Sequence, residues 1–284
     1  MMKSIINTSF KKGLCIVLLL VIAQQASAQD RISQATFASQ LSKVNRYMEE
    51  GNFEEALTFV NRKVDSILSI KNYYYATDYT YYIGRITAEL TNKEQAIKAI
   101  AQFEDKFAKV KNDSAKAMRQ LRLETASFYE YMGDTKKALG LNAQAIEYTH
   151  KMRDATPSHF GLIYGNMGVY SARLGLLEDA AAYQHKSLKA YQSDENVVPK
   201  NLYVVYNSLG GTMWFQSKID SAAIYYRKAE EILDDMEATP LNTYFRRATL
   251  LNNLAAVYSI QGDAGKSNES MKSVIRNLNA FIDD

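Results

Sequence analysis

The sequence predicts an all-α protein: a right-handed α-solenoid of about six helix-turn-helix hairpins that follows a cleaved signal peptide. Two observations predict this class. A turn-and-alanine pattern recurs about every 42 residues, and a small residue precedes most of these turns by seven positions. The positions of the prolines support the same class, because all three in the chain fall just before the first helix of a predicted hairpin: Pro157, Pro199 and Pro240.

The first 28 residues have the order of an export signal. Three lysines precede the apolar run Leu14–Ala23, and residues 26–28 are the small sequence Ala-Ser-Ala. A retained membrane anchor is the alternative, but this run is only about half of the ~20 apolar residues that a spanning helix needs. We therefore expect cleavage between Ala28 and Gln29, and a periplasmic or extracellular protein.

Removal of this segment changes the charge balance. The whole chain has 34 basic and 31 acidic residues, and three of the basic ones lie in the signal, so the mature chain is formally neutral. This balance gives no reason to expect nucleic acid or an anionic membrane as a partner. The only cysteine, Cys15, also leaves with the signal, which excludes a disulfide framework. No later apolar stretch has membrane length, so we expect no integral membrane segment in the mature chain.

The hairpins are delimited by their turns. Each turn is followed by a small residue that starts an amphipathic run, and these residues are Ala56, Ala96, Ala138, Ala180, Ala222 and Ser267. The spacing predicts a single domain over residues 29–284, with hairpins at about 31–71, 72–111, 113–153, 157–195, 198–237 and 240–282.

The small residues before the turns predict close packing of the two helices in each hairpin. They are Gly84, Ala126, Gly168, Gly210 and Ala255. Glycine inside a helix costs about 1 kcal/mol relative to alanine, so its use there indicates a packing gain. The first hairpin has Val44 instead, which predicts looser packing.

These residues resemble the tetratricopeptide repeat. The resemblance is clearest in Tyr206–Gly210 with Ala222–Ala229, and in Leu251–Tyr258 with Gly262-Asp263. The period near 42 exceeds the usual 34 and is similar to the longer repeats of kinesin light chains. The resemblance implies a solenoid whose first helices line a concave groove that binds a protein or peptide partner.

The last predicted helix has one apolar face. Residues 264–281 place Met271, Val274, Ile275, Leu278 and Phe281 at helical spacing, opposite a polar face. This pattern predicts a terminal cap that covers the end of the array.

No residue pattern indicates catalysis, a cofactor or a metal. The three histidines, at positions 150, 159 and 185, lack partners at metal-ligand spacing. Gly265-Lys266-Ser267 imitates the end of a phosphate-binding loop, but Ile260 stands where that motif requires glycine. We therefore expect a non-enzymatic protein.

The resemblance also assigns groove positions, which interleave with the packing positions of each first helix. The residues that we predict to contact a partner are Tyr81, Tyr82, Arg85, Glu89, Ser127, Glu130, Tyr131, Asn166, Arg173, Asn207, Trp214, Phe215, Asn252 and Asn253. Asp78, Leu123, Val169 and Ser208 map to the same set.

Some roles stay open at this point. Asn166 and Asn253 could bind a partner's main chain or bond within the solenoid. Trp214 could face the groove or fill the seam to the next repeat. The mature chain could be an adaptor that binds another protein, or a structural subunit of an envelope complex that assembles as a homo-oligomer.

Overall fold

The computed structural model describes residues 33–109 and 114–283. The predicted signal peptide and its cleavage site, Ala28 and Gln29, lie outside these residues. The described residues form helices and connecting turns, without a β-strand, and divide into two compact units on either side of residues 113 and 114. The all-α class is confirmed, and the prediction of one domain over residues 29–284 stays a prediction.

The first unit contains two hairpins. The helices are α1 (Gln34–Glu49), α2 (Phe53–Ser69), α3 (Tyr73–Thr77), α4 (Thr80–Leu90) and α5 (Lys93–Lys109). Valine at position 44 is buried between α1 and α2, and the contact between these two helices is the least extensive of the hairpin contacts in the described residues. This agrees with the looser packing expected there.

The second unit contains four hairpins. The helices are α6 (Ala115–Tyr131), α7 (Thr135–His150), α8 (Pro157–Arg173), α9 (Leu177–Gln192), α10 (Pro199–Phe215), α11 (Ile219–Asp234), α12 (Arg247–Ile260) and α13 (Ala264–Asp283). A π-helical turn, Leu241–Arg246, leads into α12. The helices of each hairpin begin and end within three residues of the predicted bounds.

The turns inside the hairpins explain their glycines. Gly51, Gly133, Gly175 and Gly262 all have φ between 75° and 78°. At Gly133 the amide donates to Glu130 and the next amide donates to Tyr129, which satisfies the last carbonyls of α6. The equivalent position in the fifth hairpin is Ser217, which adopts φ 59° with a side chain in place.

The small residues before the turns do bring helices together. A Cβ atom added to Gly210 would overlap the ring of Tyr226, and one added to Gly168 would lie 2.6 Å from Cγ of Gln184. Neither Cβ atom could be placed unless the neighbouring side chain moved, so the close approach of the two helices predicted for these hairpins is confirmed.

The prediction of one continuous first helix in the second hairpin is wrong, because the helix is interrupted at Asp78 and Tyr79. The hydroxyl of Thr77 donates to the carbonyl of Tyr74, and that of Thr80 donates to the carbonyl of Thr77. Such local bonds compete with the helical ladder and favour a break.

The expectation that α13 is a cap is also wrong. Val274 is buried, as expected, but Met271, Ile275 and Leu278 are exposed. The positions that α13 turns toward the hairpin core are instead mostly small or polar, such as Ser270 and Asn277. Four apolar side chains, including Ile282, are thus left on a face that no described residue covers.

Candidate functional site

A cavity of about 230 Å³ lies between α8 and α10, with α9 beneath it. Leu162 of α8 and Val204 of α10 border it, and these side chains are 43% and 46% exposed. Val169 and Val205 add to the apolar lining. Exposed aliphatic side chains on two adjacent first helices therefore meet at one concave site.

The floor of the cavity comes from α9 and is buried. Gln184, Ser187 and Tyr191 line it. The Ser187 hydroxyl donates to the carbonyl of Gly161 at 2.7 Å, which ties α9 to α8. Burial raises the pKa of Tyr191 to about 12, with a smaller opposing effect of Arg119, so the phenol is neutral at physiological pH.

One polar atom of this floor is unpaired. Gln184 is buried, and its Oε1 has no hydrogen-bond partner among the described residues. An unpaired buried acceptor costs about 1–3 kcal/mol.

Polar side chains complete the walls. Asn166 and Ser208, which were both assigned to the groove, line the cavity together with Asn201 and Lys200. Lys200 is exposed, in the first turn of α10. The cavity thus combines an apolar centre with amide groups and one cationic side chain.

Asn166 and Asn253, whose roles the sequence leaves open, each form a hydrogen bond within the solenoid. Asn166 donates from Nδ2 to Oδ1 of Asn142 on α7 at 3.3 Å, and Asn253 donates from Nδ2 to Oδ1 of Asn207 at 3.1 Å. Each bond joins neighbouring hairpins and uses one of the two N–H groups of its donor amide. The neighbouring Asn252 is exposed.

Trp214 packs against the core that α10 shares with α11 and α12, and it is partly buried. Phe215, the last residue of α10, is among the most exposed apolar residues. These contacts favour the seam position for Trp214 and leave Phe215 available to a partner.

The groove residues predicted in the third and fourth hairpins differ in accessibility. Arg173 and Glu130 form an ion pair that links α8 to α6. Ser127 and Tyr131 are exposed, whereas Leu123 is buried in the core, so its assignment to the groove is wrong.

The predicted groove residues of the first unit lie on α4. The ring centroids of Tyr81 and Tyr82 lie 5.5 Å apart, and Arg85 donates a hydrogen bond from Nη1 to the Tyr81 hydroxyl at 3.4 Å. Glu89 is exposed. Tyr79 is fully buried and donates to Oε1 of Gln40, whereas Tyr81 and Tyr82 are partly exposed.

Leu162 and Val204 were missed, although the sequence carries a signal for them. Each lies six residues before the small packing residue of its hairpin. The equivalent residues of the second, third and sixth hairpins are polar, namely Asp78, Gln120 and Thr249. A large apolar residue marks these two hairpins, because the remaining hairpin, the first, has only the small Ala38 at this position.

No site for other chemistry is evident in residues 33–109 and 114–283. They contain no group of three or more histidine, cysteine, aspartate or glutamate side chains that could hold a metal ion. The rings of His150 and His185 contact Phe160 and Tyr225. Within the same ranges, no helix has the length and apolar character that crossing a membrane requires.

No protein-family model and no curated protein matches this sequence. Solved structures match its fold. BtubC (BKLC) from P. vanneervenii has a TM-score of 0.62 at 16% identity, over 86% of this chain and 92% of that one. PilW, a widely conserved type IV pilus biogenesis factor, has a TM-score of 0.53 at 16% identity, over 87% and 96%.

A third match names the repeat. The TPR-like repeats of a kinesin light chain from Podosopora anserina align with a TM-score of 0.53 at 13% identity, over 89% of this chain and 100% of that one. The chain therefore has a TPR-like fold, as its repeats predict, and at these identities the likeness concerns the fold alone.

Proposed function

We propose that this chain is a non-enzymatic adaptor that binds an extended protein or peptide segment along its first helices, with the main anchor in the cavity between α8 and α10. The observation that carries the proposal is the exposure of Leu162 and Val204 on opposite walls of that cavity. Aliphatic side chains at accessible concave positions gain free energy when a partner covers them.

The cavity volume fits one apolar side chain. It is about 230 Å³, below the 300–1,000 Å³ of typical small-molecule sites. A leucine or phenylalanine of the partner is the anchor that we propose. Its side chain would contact Leu162, Val169 and Val204 and exclude water from them.

The polar lining suits the main chain around such an anchor. Asn166 and Asn201 can each offer a donor and an acceptor to an extended backbone, and Ser208 adds a hydroxyl. The ammonium group of Lys200 favours an acidic residue close to the anchor. The proposed ligand is therefore an extended segment with an apolar residue and a neighbouring aspartate or glutamate.

We further propose that the adaptor acts outside the cytoplasm. The support is the order of the lysines, the apolar run and residues 26–28. Mass analysis of protein recovered from the periplasm or medium of an expressing bacterium should give an N-terminus at Gln29. A chain that stays in the cytoplasm with Met1 intact would contradict export.

The ligand can be found and the site tested together. Peptides selected from a random display library against the purified chain should share an apolar residue with an acidic neighbour. Calorimetric titration of one selected peptide should show binding to the wild type that is weakened at least about tenfold by Val204→Asp, since a carboxylate would replace an apolar contact.

A matched control separates the cavity from general surface effects. Ile224 on α11 is about as exposed as Val204 but does not line the cavity. The variant Ile224→Asp should bind the peptide as the wild type does. Equal weakening by both substitutions, or none by Val204→Asp, would show that the peptide binds elsewhere.

A further inference from the structure

A second cavity lies within the first unit, where α2, α4 and α5 meet. Its volume is about 550 Å³, within the range of about 300–1,000 Å³ that small-molecule sites occupy. Buried apolar side chains form its floor, namely Val64 of α2, Ile83 of α4 and Phe103 of α5. A floor of this kind favours a ligand that has an apolar part.

The cavity coincides with a repeat position that is small in the second hairpin. Ala99, which lines the cavity, lies three residues after the small residue that follows the turn. The first, third, fourth and fifth hairpins carry large side chains at this position, and the sixth carries a serine. The large ones are Phe59, Leu141, Tyr183 and Tyr225.

The fifth hairpin shows how a large side chain fills the equivalent space. The ring centroid of Tyr225 on α11 lies 6.0 Å from that of His185 on α9, and the same ring stacks on Tyr206 at 6.4 Å. His185 and Asn61 share one repeat position, five residues after the small residue. Because Asn61 and Ala99 both line the cavity, it occupies the space between neighbouring second helices that Tyr225 fills in the fifth hairpin.

Hydrogen-bond donors surround the apolar floor. The ammonium groups of Lys98 and Lys106 line the cavity, as do the amide side chains of Asn61, Gln95 and Gln102. All five side chains are exposed, and the three amide groups form no hydrogen bond with another described residue. No aspartate or glutamate is among the described residues that line the cavity. Since an ammonium group donates and cannot accept, this rim favours a ligand with a strong acceptor, such as a carboxylate.

Each lysine has one carboxylate partner, which lies outside the lining of the cavity. Lys98 donates to Glu94 at 2.7 Å, and Lys106 forms an ion pair with Asp65. All four side chains are more than half exposed, so both pairs contribute little stability. An ammonium group has three N–H donors, and a ligand carboxylate can therefore bind it without displacing the existing partner.

We propose that this cavity binds a small carboxylic acid with an apolar body. The carboxylate receives hydrogen bonds from Lys98 or Lys106 and from the neighbouring amides, and the apolar body lies against Val64, Ile83 and Phe103. The inference is independent of the proposed peptide site, because that site lies between α8 and α10 and shares no lining residue with this cavity.

The probe for this site is octanoate, and octanol, which has a chain of the same length without the charge, is its control. Each is titrated into the isotope-labelled chain, and the backbone amide signals are followed by nuclear magnetic resonance. Octanoate should shift signals of residues 57–64 and 95–106, which contribute most of the lining. Octanol should bind at least about tenfold more weakly, because it lacks the carboxylate.

Filling the cavity tests its position. Ala99→Leu should weaken octanoate binding at least about tenfold, because it introduces the side chain that the third hairpin has at this position. Ala101→Leu, on the same helix but outside the lining, should bind octanoate as the wild type does. Circular dichroism shows whether each variant is folded.

Exchange of the charges tests the chemistry, and it decides the question if Ala99→Leu fails to fold. The double variant Lys98→Gln with Lys106→Gln should bind octanoate no more tightly than the wild type binds octanol. A peptide selected against the cavity between α8 and α10 should bind every variant as it binds the wild type.

Four results would overturn the proposal. They are the absence of shifts up to about 10 mM octanoate, shifts confined to residues 114–283, equal affinity for octanoate and octanol, and wild-type octanoate binding by folded Ala99→Leu or by the double lysine variant.

Discussion

The backbone of Gly210 lies directly against the ring of Tyr226. A Cβ atom at Gly210 would overlap ring carbons, whereas a Cβ atom at the next residue, Gly211, would lie 3.8 Å from the Tyr226 hydroxyl. Both glycines are inside α10, so alanine raises helix propensity equally at each. Any difference between the two substitutions therefore reports the packing of α10 against α11.

We predict that Gly210→Ala lowers the free energy of unfolding by about 1–3 kcal/mol, because the overlap exceeds the propensity gain. Gly211→Ala should raise it by up to about 1 kcal/mol. Urea denaturation followed by circular dichroism measures both. Equal midpoints for the two variants would mean that the close approach does not exist.

The turn at Ser217 offers a stabilising substitution. Its φ of 59° lies in the left-handed region, where the corresponding residues of four other hairpins are glycine. Ser217→Gly should raise the free energy of unfolding by about 1 kcal/mol, since glycine has no Cβ to strain the turn. Ser217→Ala keeps the Cβ and is the control. If the two variants melt at the same temperature, the turn is not strained.

The environment of His159, at the start of α8, predicts that the free energy of unfolding depends on pH. Its Nδ1 accepts a hydrogen bond from the amide of Thr156 at 2.9 Å. Burial, followed by the charge of Arg119, lowers the pKa of His159 from 6.5, and Asp154 opposes the shift. The folded state therefore binds this proton less readily than the unfolded state, and the stability linked to neutral His159 is lost as the pH falls below about 6.5.

His159→Gln should reduce the loss of stability between pH 7.5 and pH 5.5, because glutamine at this position can accept the same bond without titrating. His185→Gln, at an exposed histidine of α9, should keep the wild-type slope. Urea midpoints at the two pH values give the comparison. A wild-type slope in His159→Gln would rule out this residue as its source.

Alanine substitutions of Trp214 and Phe215 distinguish a residue that packs in the core from one that is available for binding at the end of α10. Trp214→Ala should lower the free energy of unfolding by about 2 kcal/mol or more, because the side chain packs on the shared core. Phe215→Ala should change it by less than about 0.5 kcal/mol, because the ring is exposed. Thermal melts of both variants distinguish the two positions, and a stable Trp214→Ala would place the indole in the groove instead.

The hairpins could be predicted because their determinants are local and repeated. Gly133 and Gly175 each end one helix because their backbones adopt a positive φ. Gly168 and Gly210 allow the second helix of the hairpin to approach closely because they have no side chain. Both features recur at a fixed spacing. The interruption at Asp78 depends on hydroxyl-to-carbonyl bonds that compete weakly with the helix, so the helical pattern around it hides the break.

The candidate site could be predicted only in part. Asn166 and Ser208 were identified by their repeat positions, but the cavity itself requires the spacing between α8 and α10, which single-helix patterns do not contain. The asparagine pair of Asn166 and Asn142 depends on contacts between hairpins in the same way. On α13, helical periodicity located the apolar residues but could not show which of them the preceding helix leaves exposed.

The central claim is that an apolar residue of the partner enters the cavity between α8 and α10. The most direct test is photo-crosslinking with a selected peptide that carries photo-leucine at its apolar anchor, followed by digestion and mass spectrometry. The account predicts adducts on Leu162, Val169 or Val204, and their loss in the presence of excess unlabelled peptide. Competed adducts confined to α11 or to residues 33–109 would contradict it.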